Sequence, residues 1–194
     1  MPNLFNHSRF LHGKIYEIKL NKVRLKKTSG DMEMTEREKA LQKLNEMKVA
    51  YEFKEHPAVY TIEEMDTIGI SEDVVKNLFL RDAKGKRHFL VVLIKEKQAD
   101  LRLIGEQLGS SRLSFASEDR LERYLKLTKG SVTPLGILND AAQDVEVVFD
   151  EDLVGKPRLG VHPNDNTATV WMSFDALHGI VKRNGNTVHF IELA

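Results

Sequence analysis

A single α+β domain, with a mixed β-sheet and helices around it, is what this sequence predicts. Three observations lead there. A chain of 194 residues is long enough for one well-cored domain and short for two. Stretches with strand alternation and stretches with helical spacing are interleaved irregularly, without the repeated βαβ order of a doubly wound sheet. No internal repeat or low-complexity tract interrupts them.

The elements follow in order. Residues 1–33 differ from the rest: Lys14, Lys19, Lys22, Arg24, Lys26 and Lys27 crowd one segment. They read as a basic N-terminal extension, either poorly ordered or a functional basic arm, ahead of a folded domain at 34–194. Thr35-Glu36-Arg37-Glu38 is a capping box, and Ala40, Leu41, Leu44 and Met47 continue it at helical spacing. "VAYEFKEH" reads as a short strand, and Ile62 to Met65 and the stretch from Ser71 as short helices. Leu78, Leu80, Phe89, Val91 and Leu93 alternate with their neighbours on either side of Asp82-Ala83-Lys84-Gly85-Lys86, a hairpin. "ADLRLIGEQLG" is a helix closed by Gly109, and Ser117 opens another. Gly130, Pro134 and Gly136 argue against regular structure in "GSVTPLGILND". "VEVVFD", the segment into "LGVHP", "TATVWMSF" and "TVHFIEL" are strands, and a helix from Phe174 to Arg183 stops at Asn184-Gly185.

Composition excludes several functions. With 41% hydrophobic and 30% charged residues the chain has a soluble globular make-up. Its 29 basic and 29 acidic residues cancel, so contact with RNA must come from a local basic patch. The absence of cysteine removes disulfides, thiolate metal sites and cysteine nucleophiles, and suits a reducing cytoplasm, the expected location. No apolar run approaches the roughly 20 residues that span a bilayer, and "MPNLFNHSRFLHGKIYEI" lacks a signal peptide's apolar core and cleavage site. Nucleotide-binding glycine fingerprints, the Walker A loop, the zincin helix and the nucleophile elbow are all missing, and seven scattered histidines suggest no metal site.

What stands out instead is a set of polar residues at strand ends and turns. Lys76 and Asn77 head a strand that otherwise enters the core. They are either a solvated strand start or a point charge able to hold an anionic or carbonyl oxygen. Gly130-Ser131-Val132-Thr133-Pro134 is either a plain loop or backbone held close to a ligand, glycine permitting the approach and proline stiffening it. His162-Pro163 closes a strand before the polar turn Asn164-Asp165-Asn166. His162 on its own fits a structural role as readily as a chemical one.

With "HPAVYTIEE", "KNLFLRDAKGKRHFLVVL", "ADLRLIGEQLGSSRLSFAS", "GSVTPLGILND" and "HPNDNTATVWM" in this order, the sequence resembles the YbaK/ProX family of aminoacyl-tRNA deacylases, and among them the free-standing alanyl-tRNA(Pro) deacylases related to the editing domain of bacterial prolyl-tRNA synthetases. The likeness covers Met34 to Leu193. It implies hydrolysis of the ester joining a mischarged amino acid to the tRNA 3′ end, without cofactor or metal, by a substrate-assisted route. By position Lys76 matches the family's functional lysine, Asn77 its usual neighbour, Gly130 and Pro134 the G-x-x-x-P signature and His162 the histidine before proline. The catalytic candidates are then Lys76, Gly130 and His162, and the substrate-binding ones Asn77, Ser131, Val132, Thr133, Pro134 and Thr167. The implied partners are the acceptor end of tRNA(Pro) and prolyl-tRNA synthetase, with no membrane, and the protein is expected to act as a monomer. Small residues from Val59 to Ile62 and near Thr167 would exclude proline. Lys84, Lys86, Arg87, Arg112 and the extension are candidates for RNA contact. Two alternatives remain: a cysteinyl-tRNA(Pro) deacylase, and a non-catalytic module of the same fold that binds tRNA or a synthetase.

Overall fold

The computed structural model describes residues 34–59, 62–67, 69–70 and 73–193. The basic extension, together with Tyr60, Thr61, Ser71 and Glu72, lies outside them. In chain order the elements are α1 (Glu36–Glu46), β1 (Glu52–Glu55), α2 (Ile62–Thr67), β2 (Val75–Arg81), β3 (His88–Ile94), α3 (Leu101–Gln107), β4 (Ser114–Phe115), α4 (Glu118–Leu125), β5 (Val145–Asp150), β6 (Leu159–Val161), β7 (Ala168–Met172), α5 (Phe174–Asn184) and β8 (Val188–Ile191). Short 3-10 helices occupy Pro134–Asn139 and Glu151–Leu153.

Local chemistry explains most boundaries. The capping box at α1 forms in both directions between Thr35 and Glu38. Asp100, Ser117 and Ser173 cap α3, α4 and α5 with side-chain oxygens on the first-turn N–H groups. Gly185, in the left-handed region, ends α5. In the β2–β3 hairpin, Asp82 Oδ1 accepts from the N–H groups of Lys86 and Arg87 at 2.7 and 3.1 Å, and Gly85 takes a positive φ. Two expectations change. Val74 is already bridged to Gly160 before β2 begins, so the helix expected from Ser71 does not extend into it. Pro134 sits at the start of a 3-10 helix, because its fixed φ suits a first helical turn and Thr133 caps it.

Five strands form a mixed sheet in the order β4-β2-β3-β5-β8, antiparallel at β4-β2-β3 and parallel at β3-β5-β8. A three-stranded antiparallel sheet, β1-β7-β6, lies beside it. The parallel bridge between Val74 and Gly160 joins the two. One face of the larger sheet carries Phe79, Leu90, Val92, Val147 and Phe149. It packs against α1, α4, α5, the 134–139 helix and the smaller sheet. The other face carries Leu80, Phe89, Val91, Leu93 and Val148 and packs against α3 and the C-terminal residues Ile191 and Leu193. Among the described residues no helix is long and apolar enough to cross a membrane.

Gly160 sits where β6 meets its neighbour β7 and the bridge from Val74. A Cβ there would lie 2.8 Å from Trp171 Nε1 and 2.9 Å from Val74 Cγ1. Gly160→Ala therefore overpacks the joint and is expected to destabilise the domain by about 1–3 kcal/mol, read as a lower urea midpoint at unchanged m-value.

Candidate active site

The larger sheet opens along β2. At its end Leu80 and Arg81 pair with β4, and Ala116 N–H donates to Phe79 C=O at 2.9 Å. At its start Gly160 N–H donates to Asp73 C=O at 2.8 Å, which ties this end to β6. Between these anchors β2 has β3 on one side and, among the described residues, a gap on the other. The antiparallel register sends alternate backbone groups to alternate sides. Asn77, two residues before Phe79, therefore presents its own N–H and C=O to the gap.

Two hollows meet at Asn77. The larger, about 410 Å³, is lined by Asn77, Leu78, Phe79, Phe115, Ala116, Ser117, Leu121, Gly130 and Val132, with Glu118 and Lys129 at its rim. The smaller, about 10 Å³, is lined by Val74, Val75, Asn77, Gly160, Val161, His162 and Thr169. Asn77 Oδ1 is buried between them with no hydrogen-bond partner among the described residues. A buried amide oxygen left unpaired costs about 1–3 kcal/mol, so it is a natural place for a ligand donor.

The loop of Gly130 to Pro134 divides into walls and supports. Gly130, at positive φ, and Val132 face the larger cleft. Ser131 and Thr133 are buried, and their hydroxyls are committed. Ser131 Oγ bonds to the Thr128 carbonyl at 3.0 Å, and Thr133 Oγ1 donates to the His162 carbonyl at 2.6 Å. Pro134 is buried in the core. Thr133 thus fastens the glycine loop to the end of β6, which fixes the larger hollow relative to the smaller.

His162 donates from Nδ1 to the Ala168 carbonyl at 3.2 Å, which sets the tautomer and leaves Nε2 as an acceptor. Burial lowers its pKa below the ordinary value. The nearby His56 lowers it further, and the Ala168 carbonyl and Asp165 partly offset this. His56 donates to the Pro57 carbonyl at 2.8 Å and accepts from Thr169 Oγ1 at 3.0 Å, and its ring lies 6.5 Å from that of His162.

Lys76 is adjacent to Asn77 in sequence but opposite in space, because strand side chains alternate. Asn77 shares its face with Val75 and Phe79, and Lys76 shares the other with Leu78 and Leu80. The ammonium of Lys76 donates to the Lys97 carbonyl at 2.5 Å. The cleft straddles the sheet edge, so Leu78, its neighbour on that face, is a wall of the larger hollow. The structure thus places Gly130 and Val132 on the larger hollow and His162 on the smaller, with Asn77 shared by both and Lys76, on the opposite face, lining neither.

Thr167 lies apart from both hollows. Its hydroxyl bonds to Asp165 and accepts from Arg37 at 3.2 Å, while its carbonyl accepts from His56 N–H. Thr169, one turn of the pleat further, lines the small hollow instead. Val59 packs with Ile70 and Trp171 rather than in either hollow, and Tyr60, Thr61 and the Ile62 side chain are outside the described residues. Arg87 forms a two-pronged pair with Glu146, at 2.7 Å for each contact, and stacks on Phe89. This ties up its guanidinium, whereas Lys84, Lys86 and Arg112 are exposed. Sequence reading missed Gly160 and Thr169, and it gave no role to His56 of the "HPAVYTIEE" stretch. His56-Pro57 repeats the His-Pro pairing of His162-Pro163, the one signal that could have pointed to it.

The comparisons with known proteins define the class. A family model described as the aminoacyl-tRNA editing domain matches residues 56–180, and the chain belongs to that family. It is an aminoacyl-tRNA deacylase by class. Among curated proteins, the chain is 55% identical over 164 residues to the prolyl-tRNA editing protein ProX of Acetoanaerobium sticklandii, covering 84% of this chain and all of that one. It is 36% identical over 151 residues to the mouse prolyl-tRNA synthetase associated domain-containing protein 1, covering 75% and 89%. A solved structure described as a candidate trans-editing enzyme for prolyl-tRNA synthetase shares the fold, with a TM-score of 0.62 at 20% identity over 83% of this chain and 98% of that one.

The depressed pKa of His162 has a thermodynamic consequence. The unfolded histidine takes up its proton near pH 6.5, the folded one only at lower pH. Its contribution to stability is thus complete above pH 6.5 and is lost as the pH falls through that value toward the folded pKa. His162→Asn is expected to flatten the pH dependence of stability in this window. NMR titration of the wild type should show the His162 ring neutral, with the proton on Nδ1, at pH 7.

Proposed function

We propose that this protein clears mischarged tRNA(Pro) by hydrolysing its aminoacyl ester, and that alanyl-tRNA(Pro) is its substrate. The observation that carries the reading is the pair of unequal hollows sharing Asn77. The larger has the size of a small-ligand site. The smaller has room for about one water-sized group, close to a methyl and well below a proline ring, and on this reading also short of the mercaptomethyl group of cysteine. The names of the curated relatives point to the same tRNA, and the acceptor end of tRNA(Pro) and prolyl-tRNA synthetase are the partners that this reading entails.

Discrimination at the synthetase itself is weak, because a site built for proline loses only about 1–3 kcal/mol when a smaller apolar group enters. A second site that admits only the smaller group completes the selection. The terminal adenosine occupies the larger cleft, and the alanyl methyl enters the hollow between Val75, Val161 and His162. Asn77, through Oδ1 and the backbone groups facing the gap, holds the α-amino group and the ester. Gly130 lets the opposite wall approach the ester closely. Rotation of the Lys76 side chain exchanges the Lys97 carbonyl for the ester carbonyl or the terminal phosphate, where its charge stabilises the oxyanion.

The chain then needs no nucleophile of its own. Water adds to the ester carbonyl carbon, and the neighbouring 2′-hydroxyl relays a proton. The tetrahedral centre collapses with cleavage of the bond to the 3′-oxygen, which takes up the proton. The products are alanine and intact tRNA. Neutral His162 shapes the hollow and offers Nε2 as an acceptor.

Purified protein should deacylate alanyl-tRNA(Pro) and spare prolyl-tRNA(Pro). Lys76→Ala should lower the rate on the order of 10²–10³-fold without lowering the melting temperature. Val75→Ala, which enlarges the hollow, should extend hydrolysis to cysteinyl-tRNA(Pro). Binding of tRNA without hydrolysis of any of the three esters would favour the non-catalytic alternative. Wild-type preference for cysteinyl-tRNA(Pro) would overturn the size argument.

A further inference from the structure

Phe115 has an unusual place for an apolar side chain. It is 63% exposed, the most exposed large hydrophobic residue among those described. A lone exposed apolar group needs no explanation in general. This one, however, stands at the lip of the 410 Å³ cleft, whose remaining walls include Leu78, Phe79, Ala116, Leu121 and Val132. Its backbone is fixed. Phe115 pairs with Leu80 across β4 and β2, and the next residue, Ala116, is hydrogen bonded to Phe79. Register places Phe115 on the face of Leu80, and hence of Leu78 and Lys76. Lys129, also lining the cleft, is paired only loosely, with Glu118 at 3.4 Å, and both side chains are largely exposed. Such a pair is weak and exchanges readily for another anion.

We infer that Phe115 is the stacking platform for the 3′-terminal base of the RNA, and that Lys129 holds the phosphate on its 5′ side. The inference rests on the proposed editing function and adds the subsite that grips the nucleotide rather than the amino acid. The chemistry fits a single-stranded end. An unstacked base presents a π-face to an aromatic ring, and a phenyl ring, which has no polar atoms, binds it without reading its identity. Such a platform suits an end whose last base is the same in every tRNA. It also aligns the substrate. With the base on Phe115 and the phosphate at Lys129, the ribose and its ester lie at the gap beside Asn77, with Lys76 on the nucleotide's side of the sheet and His162 on the other. Phe115 acts here as a positioning residue: it fixes the nucleotide and takes no part in bond breaking.

The test is a cycle between protein and RNA. Binding of the full chain to an uncharged acceptor-stem hairpin is compared with binding to the same hairpin lacking its terminal adenine base. The proteins are wild type, Phe115→Ala, Phe115→Leu, Phe115→Trp and Lys129→Ala. Base removal should weaken wild type roughly tenfold and weaken Phe115→Ala no further, because one stacked base is lost in either case. Phe115→Trp should retain the sensitivity to the base. Phe115→Leu, apolar but without a π-face, should behave as Phe115→Ala. Lys129→Ala should lower the salt dependence of binding by about one phosphate contact. In deacylation, Phe115→Ala should raise KM and leave kcat near wild type. If base removal weakens Phe115→Ala as much as wild type, or if Phe115→Leu performs like Phe115→Trp, the platform is refuted even when hydrolysis is intact. If wild type shows the base coupling but hydrolyses none of the esters, the platform stands and the editing reading fails.

Discussion

The site depends on how the two edges of one strand are used. Among the described residues, strand β2 is held along one side by β3, and on the other by the Val74–Gly160 bridge just before it and by β4 through Leu80 and Phe115 at its end. A fully paired strand would bury its backbone groups in a ladder. Here the middle of the strand faces an opening, and Asn77 presents both main-chain and side-chain groups to it. The surrounding structure keeps this gap from closing. Gly160 allows β6 to approach Trp171 and Val74 closely, Thr133 fastens the glycine loop to the His162 carbonyl, and the 134–139 helix seats that loop in the core.

On the proposed substrate-assisted route the chain needs neither cysteine nor a catalytic triad. An aminoacyl ester is already reactive and carries its own neighbouring hydroxyl. What a protein adds is position, a positive charge and a volume limit. In the proposed reading these requirements fall to different parts of the molecule: position to the strand gap, charge to Lys76, and the volume limit to the hollow between Val75, Val161 and His162. Removing water from so small a hollow also strengthens the electrostatic contacts within it.

Much of the fold was legible in the sequence because its signals are local. The Thr35–Glu38 box, the Asp82–Gly85 turn and the Asn184-Gly185 stop each act within a few residues, and all three formed as read. The 3-10 helix after Thr133 was missed, because Pro134 and Gly136 break an α-helix but are tolerated in a short, tight turn. The site was legible only in part. Lys76 and Asn77 are neighbours in sequence, yet the two-residue period of a strand puts them on opposite faces. Thr167 was chosen where Thr169 lines the hollow, a shift of two residues that depends on how β7 lies against β1. Gly160, His56 and Phe115 acquire their roles only through contacts between distant segments. No local pattern announces those contacts.

The most direct measurement is a crystal structure with a non-hydrolysable analogue, 3′-deoxy-3′-alanylamino-adenosine, in which an amide replaces the ester. The account predicts the adenosine in the cleft between Phe115 and Gly130, the methyl in the hollow beside His162, and a contact from the analogue to Asn77 Oδ1. An analogue bound elsewhere, for instance in the cavity beside Arg112 and α3, or one whose alanyl group points away from His162, would contradict it.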